Sequence, residues 1–373
     1  MSFDIKQFNF GLFLAVFAAL PVVGLISGPT YAPMLFGMTA ILTLTRGQWP
    51  PVDRKLALLT LLFLALCAAE LPLSIGVGHS AQRLGQMAGI WLGCLLLLAL
   101  PKPESDRLFP LMLGAMAAGT LILCIDTALG YPLQRLIMGG AANAAYKYNR
   151  GLISMLLIAW PLMSGLGKRR ALLVAGLAAL ALVVGLSSTG LAALFGSAAL
   201  WALARWRVEL ARWLLALATG ITALTLPWLL RVASGMRAEL APYIKSSGLH
   251  RLEIWDYMSL RILERPLTGW GLGSAPKVPI HAEELANYLY VNPDGIYPHN
   301  QWIEVWLETG LPGILLALLF VWLVLWRVKS PYALAAVTAA LICSCLNFEI
   351  TTDSWWAALA ASALLFQLPT RKM

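Results

Sequence analysis

Residues Ala171–Ala204, ALLVAGLAALALVVGLSSTGLAALFGSAALWALA, decide the fold class, because no charged residue interrupts this apolar run. A single α-helix of that length would be about 51 Å long at 1.5 Å per residue. The hydrocarbon core of a bilayer is only about 30 Å thick. Ser187-Ser188-Thr189-Gly190 therefore predicts a tight turn between two short membrane spans.

The rest of the chain has the same apolar character. Of its 373 residues, 60% are hydrophobic and 12% are charged, whereas soluble domains carry about 25% charged residues. The predicted fold class is an all-α polytopic membrane protein with about 12 transmembrane helices. We place the spans at about 10–27, 31–45, 56–75, 84–100, 108–129, 151–166, 171–187, 189–204, 213–230, 308–327, 331–347 and 354–368.

The distribution of Lys and Arg predicts the orientation of these spans. With cytoplasmic termini, the inner segments hold 16 of these residues and the short outer segments hold 4, as the positive-inside rule requires. The remaining 7 lie in one long outer loop between spans nine and ten, with its own amphipathic helices. We divide the chain into a membrane domain at 1–230, this loop at 231–307 and a second membrane domain at 308–373. Orientation accounts for the net charge of +9, so nucleic acid is not predicted as a partner.

Acidic residues point to chemistry at the outer face. Glu70 and Asp126 lie towards the outer ends of spans three and five, and Glu349 and Asp353 lie in the last outer turn. A carboxylate within a span is costly and marks a candidate functional site. Near a span end, a solvated interfacial carboxylate is an equally good interpretation.

The outer loop contains an amphipathic helix. From Gly248 onward, apolar residues recur at helical spacing until Pro266 interrupts the pattern; they are Ile254, Trp255, Met258 and Ile262. Arg251 borders this apolar stripe. On the helix alone, Arg251 is either a snorkelling arginine at a helix start or a functional cation.

Two further patterns in this loop are weak. Gly269, Gly271 and Gly273 do not fit the spacing of a dinucleotide-binding fingerprint, and no strand and helix surround them. They predict either a turn that lets the backbone approach a ligand or a flexible connection. His281 and Glu284 are only half of a metal site, so no metal is predicted.

Residues 298–313, PHNQWIEVWLETGLPG, join this loop to span ten. Read as a helix, the spacing places His299 on an apolar face with Trp302 and Trp306. A second, polar face is predicted from residues at i, i+4 and i+8, which are Asn300, Glu304 and Glu308. His299 is either a base at the outer face or a structural residue that caps the helix beginning at Asn300.

The motifs of these segments together resemble the O-antigen ligase family of bacterial inner-membrane glycosyltransferases. Related members of the same superfamily include repeat-unit polymerases and protein O-oligosaccharyltransferases. The resemblance covers residues 251–313 and rests on Arg251-Leu-Glu-Ile-Trp, Pro266-Leu-Thr-Gly-Trp-Gly-Leu-Gly, His299-Asn300 and Glu308-Thr-Gly-Leu-Pro-Gly313. The layout of twelve spans with one large periplasmic loop before span ten agrees with it.

The resemblance implies an inverting glycosyltransferase that needs no metal, nucleotide sugar or other cofactor. It would move a glycan from undecaprenyl diphosphate to an acceptor hydroxyl on the periplasmic side of the inner membrane. We favour ligation of O-antigen to lipid A–core, with a growing glycan as the acceptor if the protein is a repeat-unit polymerase. Transfer of the glycan to a protein, by a protein O-oligosaccharyltransferase, is a third enzymatic alternative. A transporter of the lipid-linked glycan is the alternative from another class, although paired halves and midplane charges are not evident.

The resemblance also implies roles for named residues. Arg251 and His299 match the essential arginine and histidine of the family, so His299 is predicted to be the general base and Arg251 to bind the diphosphate. The family often has another arginine in the turn after span seven, where this chain has serines, threonine and glycine. We predict that Arg150 replaces it with help from Lys147, and that Asn300 contacts the diphosphate or the acceptor.

Overall fold

The computed structural model describes residues 5–47, 49–102, 106–137, 144–243, 246–285, 288–289, 291 and 297–369, and these residues are helical with no strand among them. The helices are α1 Ile5–Ile26, α2 Tyr31–Arg46, α3 Arg54–Ala69, α4 Val77–Ala99, α5 Leu108–Ala128, α6 Pro132–Ile137, α7 Ala144–Gly165, α8 Lys168–Val184, α9 Ser188–Trp206, α10 Val208–Gly235, α11 Arg237–Leu240, α12 Ser246–Glu264, α13 Ala282–Leu285, α14 Gln301–Arg327, α15 Pro331–Leu346 and α16 Asp353–Leu365.

The prediction of an all-helical membrane protein is confirmed. Six of the described helices are long and apolar enough to cross a bilayer: α1, α3 with its following turn, α4, α5, α10 and α14. Each of the other predicted spans also coincides with a helix, namely α2, α7, α8, α9, α15 and α16. The count of twelve spans and the placement of the loop in the periplasm remain predictions.

The turn predicted within 171–204 is confirmed. Helix α8 ends at Val184 and α9 begins at Ser188. The Ser187 hydroxyl accepts a hydrogen bond from the Gly190 backbone N–H at 3.1 Å, which is the usual function of a serine at a helix N-cap. Helix α7 packs against both helices of this hairpin, and its residues 151–163 are all buried.

Helix α14 begins seven residues before the predicted start of span ten and is broken inside. At Gly310 the backbone has φ 61° and ψ −162°, a region that is essentially restricted to glycine. Pro312 has no backbone N–H to bond the Glu308 carbonyl, and the Leu311 N–H instead donates to the Pro266 carbonyl at 2.8 Å. The break therefore leaves two carbonyls without helical partners.

The glycine-rich segment after Pro266 supplies those partners. The Trp270 N–H donates to the Leu307 carbonyl at 2.8 Å, and the Gly271 N–H donates to the Glu308 carbonyl at 3.0 Å. Gly269 has φ 62°, and a methyl group added to it would lie 2.5 Å from the Glu308 backbone. The sequence predicted either a turn that approaches a ligand or a flexible connection, whereas the backbone of this segment approaches and bonds α14.

Replacing Gly310 with alanine should destabilise the protein by about 1–3 kcal/mol through backbone strain alone. The added methyl group would also lie 2.5 Å from the Leu267 backbone. Gly220→Ala is the matched control, because nothing lies within 4 Å of the Gly220 methyl position. Thermal unfolding in detergent should show a lower melting temperature for Gly310→Ala only, and equal melting of both variants would contradict this account of the break.

Candidate functional site

The candidate site lies where the start of α14 meets α12 and α15, with Arg150 of α7 close enough to interact electrostatically with His299. The Trp255 indole N–H donates to the Pro298 carbonyl at 2.5 Å and holds the segment before α14 against α12. On α12, Arg251 donates from Nη1 to the Leu346 carbonyl, at the end of α15, at 2.7 Å. Residues that are far apart in the chain therefore converge on one end of the helical bundle.

His299 precedes α14 and does not lie on it, so the predicted helical face shared with Trp302 and Trp306 is wrong. Its backbone is left-handed, with φ 47°. The helix is capped by Asn300, whose side-chain oxygen accepts from the Trp302 N–H at 3.0 Å and the Ile303 N–H at 3.2 Å. The alternative that His299 caps the helix has no support in this geometry, because Asn300 already fills that position.

Four basic groups share this site. Burial, followed by electrostatic interaction with Arg251, Arg150 and His250, holds the pKa of His299 below its usual value of 6.5. A lowered pKa means that the imidazole is neutral at pH 7 and can accept a proton. The structure thus brings together three residues that were predicted separately, Arg150, Arg251 and His299.

Arg251 is half-buried, and its guanidinium donates a hydrogen bond to the neutral carbonyl of Leu346. Among the described residues, no carboxylate lies within ion-pair distance of it. Burial lowers the pKa of Arg251, but a guanidinium remains protonated at neutral pH. A half-buried arginine without a carboxylate partner can take an anionic ligand in its place.

The serine turn after α8 lies beside the start of α7. The Ser187 hydroxyl donates to the Asn149 side-chain oxygen at 2.5 Å, and Arg150 is the next residue on α7. Arg150 and Lys147 are both exposed. Arg150 is therefore placed next to the turn in which the family resemblance leads one to expect an arginine, whereas Lys147 is one helical turn earlier.

Asp126 has a structural partner that the sequence did not indicate. Its carboxylate accepts from the Tyr148 hydroxyl and from the Leu133 N–H, each at 2.6 Å. Both Asp126 and Tyr148 are buried. Asp126 thus anchors the α7 segment that carries Arg150, and Glu70, the other acidic candidate, is also buried.

The polar face predicted on α14 is buried rather than solvated. The Glu304 carboxylate accepts from the Ile350 N–H at 2.6 Å, and Gln301 donates to the Glu349 carbonyl at 2.9 Å. These bonds tie the first turns of α14 to the connection between α15 and α16. Asn300 is likewise occupied as a cap, so its contact with a ligand remains a prediction.

Glu284 has a partner other than a metal. Both of its oxygens accept from Arg261 Nη2, at 2.6 and 2.7 Å, and Arg261 is 1% exposed. Arg261 also pairs with Glu264 at 3.0 Å. Glu284 thus forms an ion pair that connects α12 to the following loop.

These features define a multi-pass helical membrane protein whose cationic site surrounds a half-buried histidine. Residues 171–318 match the family model described as O-antigen ligase. This match confirms the resemblance inferred from the motifs, and it contains both Arg251 and His299. Arg150 and Lys147 lie before the matched residues.

Three proteins provisionally named polysaccharide ligases are similar to part of the chain. The Rickettsia conorii protein is 31% identical over 86 residues, which is 22% of this chain and 21% of that protein. The Rickettsia typhi protein is 31% identical over 80 residues, covering 21% and 20%. The Rickettsia bellii protein is 33% identical over 78 residues, covering 20% and 19%. The chain thus spans about a fifth of the length of the curated relatives it matches.

Proposed function

We propose that this protein is a glycosyltransferase that moves a glycan from undecaprenyl diphosphate to an acceptor hydroxyl. The observation that supports it most is the convergence of His299 with the Arg150 and Arg251 charges. Both Arg251 and His299 lie within the O-antigen ligase match. Ligation of O-antigen to lipid A–core is the favoured reaction, and repeat-unit polymerisation is the second candidate.

The site residues can divide the reaction between them. His299 takes the proton of the acceptor hydroxyl as its oxygen attacks the anomeric carbon of the donor glycan. The bond from that carbon to the diphosphate breaks, and the undecaprenyl diphosphate leaves with the electron pair. Arg251, which is half-buried, and Arg150, which is exposed, stabilise the charge that develops on the diphosphate. Because the acceptor oxygen attacks the face of the anomeric carbon opposite the leaving diphosphate, the configuration of that carbon is inverted.

We further propose an arrangement in the inner membrane with both termini in the cytoplasm. This places 231–307, including the end of α10 and all of α12, on the periplasmic side between the membrane parts 1–230 and 308–373. The lysine and arginine distribution supports it. Donor, acceptor and membrane lipid would then meet at the outer end of α14, and the chemistry needs no cofactor.

Transfer by purified protein in lipid nanodiscs tests the activity directly. Undecaprenyl-diphosphate-linked glycan and lipid A–core should give a glycosylated acceptor, with the same rate when a chelator is present. A deletion strain distinguishes the two reactions. Accumulated polymer on undecaprenyl diphosphate indicates a ligase, whereas lipopolysaccharide with a single repeat indicates a polymerase. Absence of transfer to either acceptor would reject the proposal.

Arg150→Ala should weaken donor binding by about tenfold or more, since a hydrogen bond to a charged group contributes about 1.5–3 kcal/mol. Lys147→Ala is the matched comparison, because both residues are exposed on α7 one turn apart. It should have a smaller effect. The measurement is the KM for the lipid-linked donor at saturating acceptor. If Lys147→Ala raises this KM as much as Arg150→Ala, the assignment of Arg150 to the diphosphate is wrong.

The dependence of kcat/KM on pH should show an acid limb with a midpoint below 6.5. The reason is that burial and neighbouring cations lower the pKa of His299, so protonation, which removes the base, requires a lower pH than usual. In His250→Gln the limb should move to higher pH, because a neighbouring group that lowers the pKa of His299 is gone. The acid limb of the kcat profile should lie at higher pH than that of kcat/KM. The reason is that the negative charge of a bound diphosphate offsets the positive charges that lower the pKa of His299. A wild-type midpoint above 6.5 would contradict His299 as the base.

A further inference from the structure

We propose that His79, Arg83 and Lys277, named here the basic cluster, bind a phosphate group of the acceptor, which is therefore a phosphorylated glycolipid. This inference rests on the proposed function and names the chemical class of its acceptor. The basic cluster is separate from Arg150 and Arg251, and the reaction described above does not use it.

The glycine-rich segment brings the three side chains together. A methyl group added at Gly273 would lie 2.8 Å from Arg83 Cγ and 3.0 Å from His79 Nε2. At Gly76 the same addition would lie 3.5 Å from Lys277 Nζ and 3.9 Å from His79 Cβ. His79 and Arg83 are also four residues apart on α4, so they share one face of that helix.

The hydrogen bonds of Arg83 in the basic cluster are to neutral groups and not to carboxylates. Arg83 donates to the neutral oxygens of Thr351 and Gln86, each at 3.2 Å. Among the described residues, none of the three side chains forms an ion pair. The buried Glu304 and Glu308 interact electrostatically with Arg83, but neither carboxylate forms an ion pair with it.

Unbonded polar atoms surround the same place. His79 Nε2 is buried and has no hydrogen-bond partner among the described residues. Ser274, which is 2% exposed, also has an unpartnered hydroxyl there. The first turn of α4 also offers backbone N–H groups to a ligand, because its N-cap is Gly76 and no side chain caps the helix. A helix N-terminus beside lysine and arginine favours an anion with several oxygens, as a phosphate has.

A short stretch of chain connects the contact of the basic cluster with the contact of Arg251. Arg83 contacts Thr351, and Arg251 contacts Leu346. Leu346, at the end of α15, and Thr351, in the connection that follows, are five residues apart, so their Cα atoms are at most about 18 Å apart. An oligosaccharide can span such a distance, with its phosphate at the basic cluster and its hydroxyl at His299. The donor diphosphate would occupy the other cationic centre.

The test compares acceptor glycolipid before and after enzymatic removal of its phosphates. Arg83→Gln and Lys277→Gln should each raise the acceptor KM about tenfold with the phosphorylated form, and less than twofold with the dephosphorylated form. The donor KM should not change. Arg135→Gln, an exposed arginine on α6, should leave both acceptor values unchanged, and Arg83→Lys should recover part of the loss. Equal losses on both acceptor forms would overturn the proposal.

Binding measured by native mass spectrometry separates this inference from the proposed activity. Wild type should retain the phosphorylated glycolipid, and Arg83→Gln should lose it, even if no glycan is transferred. Thermal melting identifies a variant that fails to fold, and Lys277→Gln, at an exposed position, provides the second variant. Retention of phosphatidylglycerol that falls in the variants, with unchanged glycolipid retention, would assign the basic cluster to membrane phospholipid and overturn the proposal.

Discussion

Replacing His299 with asparagine or alanine should reduce glycan transfer by about 10²- to 10⁴-fold, the usual contribution of general base catalysis. The acceptor hydroxyl would lose its proton acceptor, whereas the arginines that hold the diphosphate would remain. Binding of the lipid-linked donor should therefore stay within a few fold of wild type. Single-turnover transfer and donor binding, measured on the same nanodisc preparation, separate these two effects.

Asparagine is the sharper variant at position 299. The native φ of 47° lies in the left-handed region, which asparagine adopts more readily than most residues. His299→Asn thus keeps the backbone before α14 while it removes the base. His281→Ala, at an exposed histidine of the same loop, is the control and should transfer at the wild-type rate. Wild-type transfer by His299→Asn would rule out the proposed base.

Replacing Arg251 should have the second largest effect, a loss of about 10²- to 10³-fold in transfer for Arg251→Ala, comparable to removing one preorganised donor from a charge-stabilising site. Arg251→Lys should also be impaired, because an ammonium cannot form the two parallel hydrogen bonds of a guanidinium. Unlike the His299 variants, both should raise the donor KM. Steady-state transfer at varied donor concentration measures this.

Two comparisons separate the diphosphate contact from the bond between Arg251 and the Leu346 carbonyl. Arg251→Lys keeps one donor that can reach this carbonyl, so near-normal melting with poor donor binding would support a ligand contact. Arg237→Ala serves as the control, since Arg237 has a side chain that is 43% exposed and a distant pairing with Glu253 at 3.6 Å. Wild-type kinetics for Arg251→Lys would show that only a positive charge is needed there. If Arg237→Ala reduced transfer as much as Arg251→Ala, the assignment of Arg251 to the diphosphate would be wrong.

The distribution of hydrophobic residues by itself predicted the helices that coincide with the twelve spans and α12, but not the short helices α6, α11 and α13. The turn within 171–204 was predictable because a charge-free run cannot exceed the thickness of a bilayer as one helix. The end of α12 before Pro266 was predictable because proline cannot continue a helical hydrogen-bond pattern. Both are local effects, so a window of one or two dozen residues is sufficient.

The tertiary structure decided the backbone conformation at the site and which residues contact one another there. Periodicity placed His299 on a helical face, whereas the chain is left-handed there and Asn300 caps the helix. The glycines after Pro266 were compatible with a ligand turn, but their partners are carbonyls of α14 freed by its break at Gly310. The sequence motifs named Arg251 and His299. The proximity of Arg150 depends on contacts between segments more than a hundred residues apart, which no local pattern encodes.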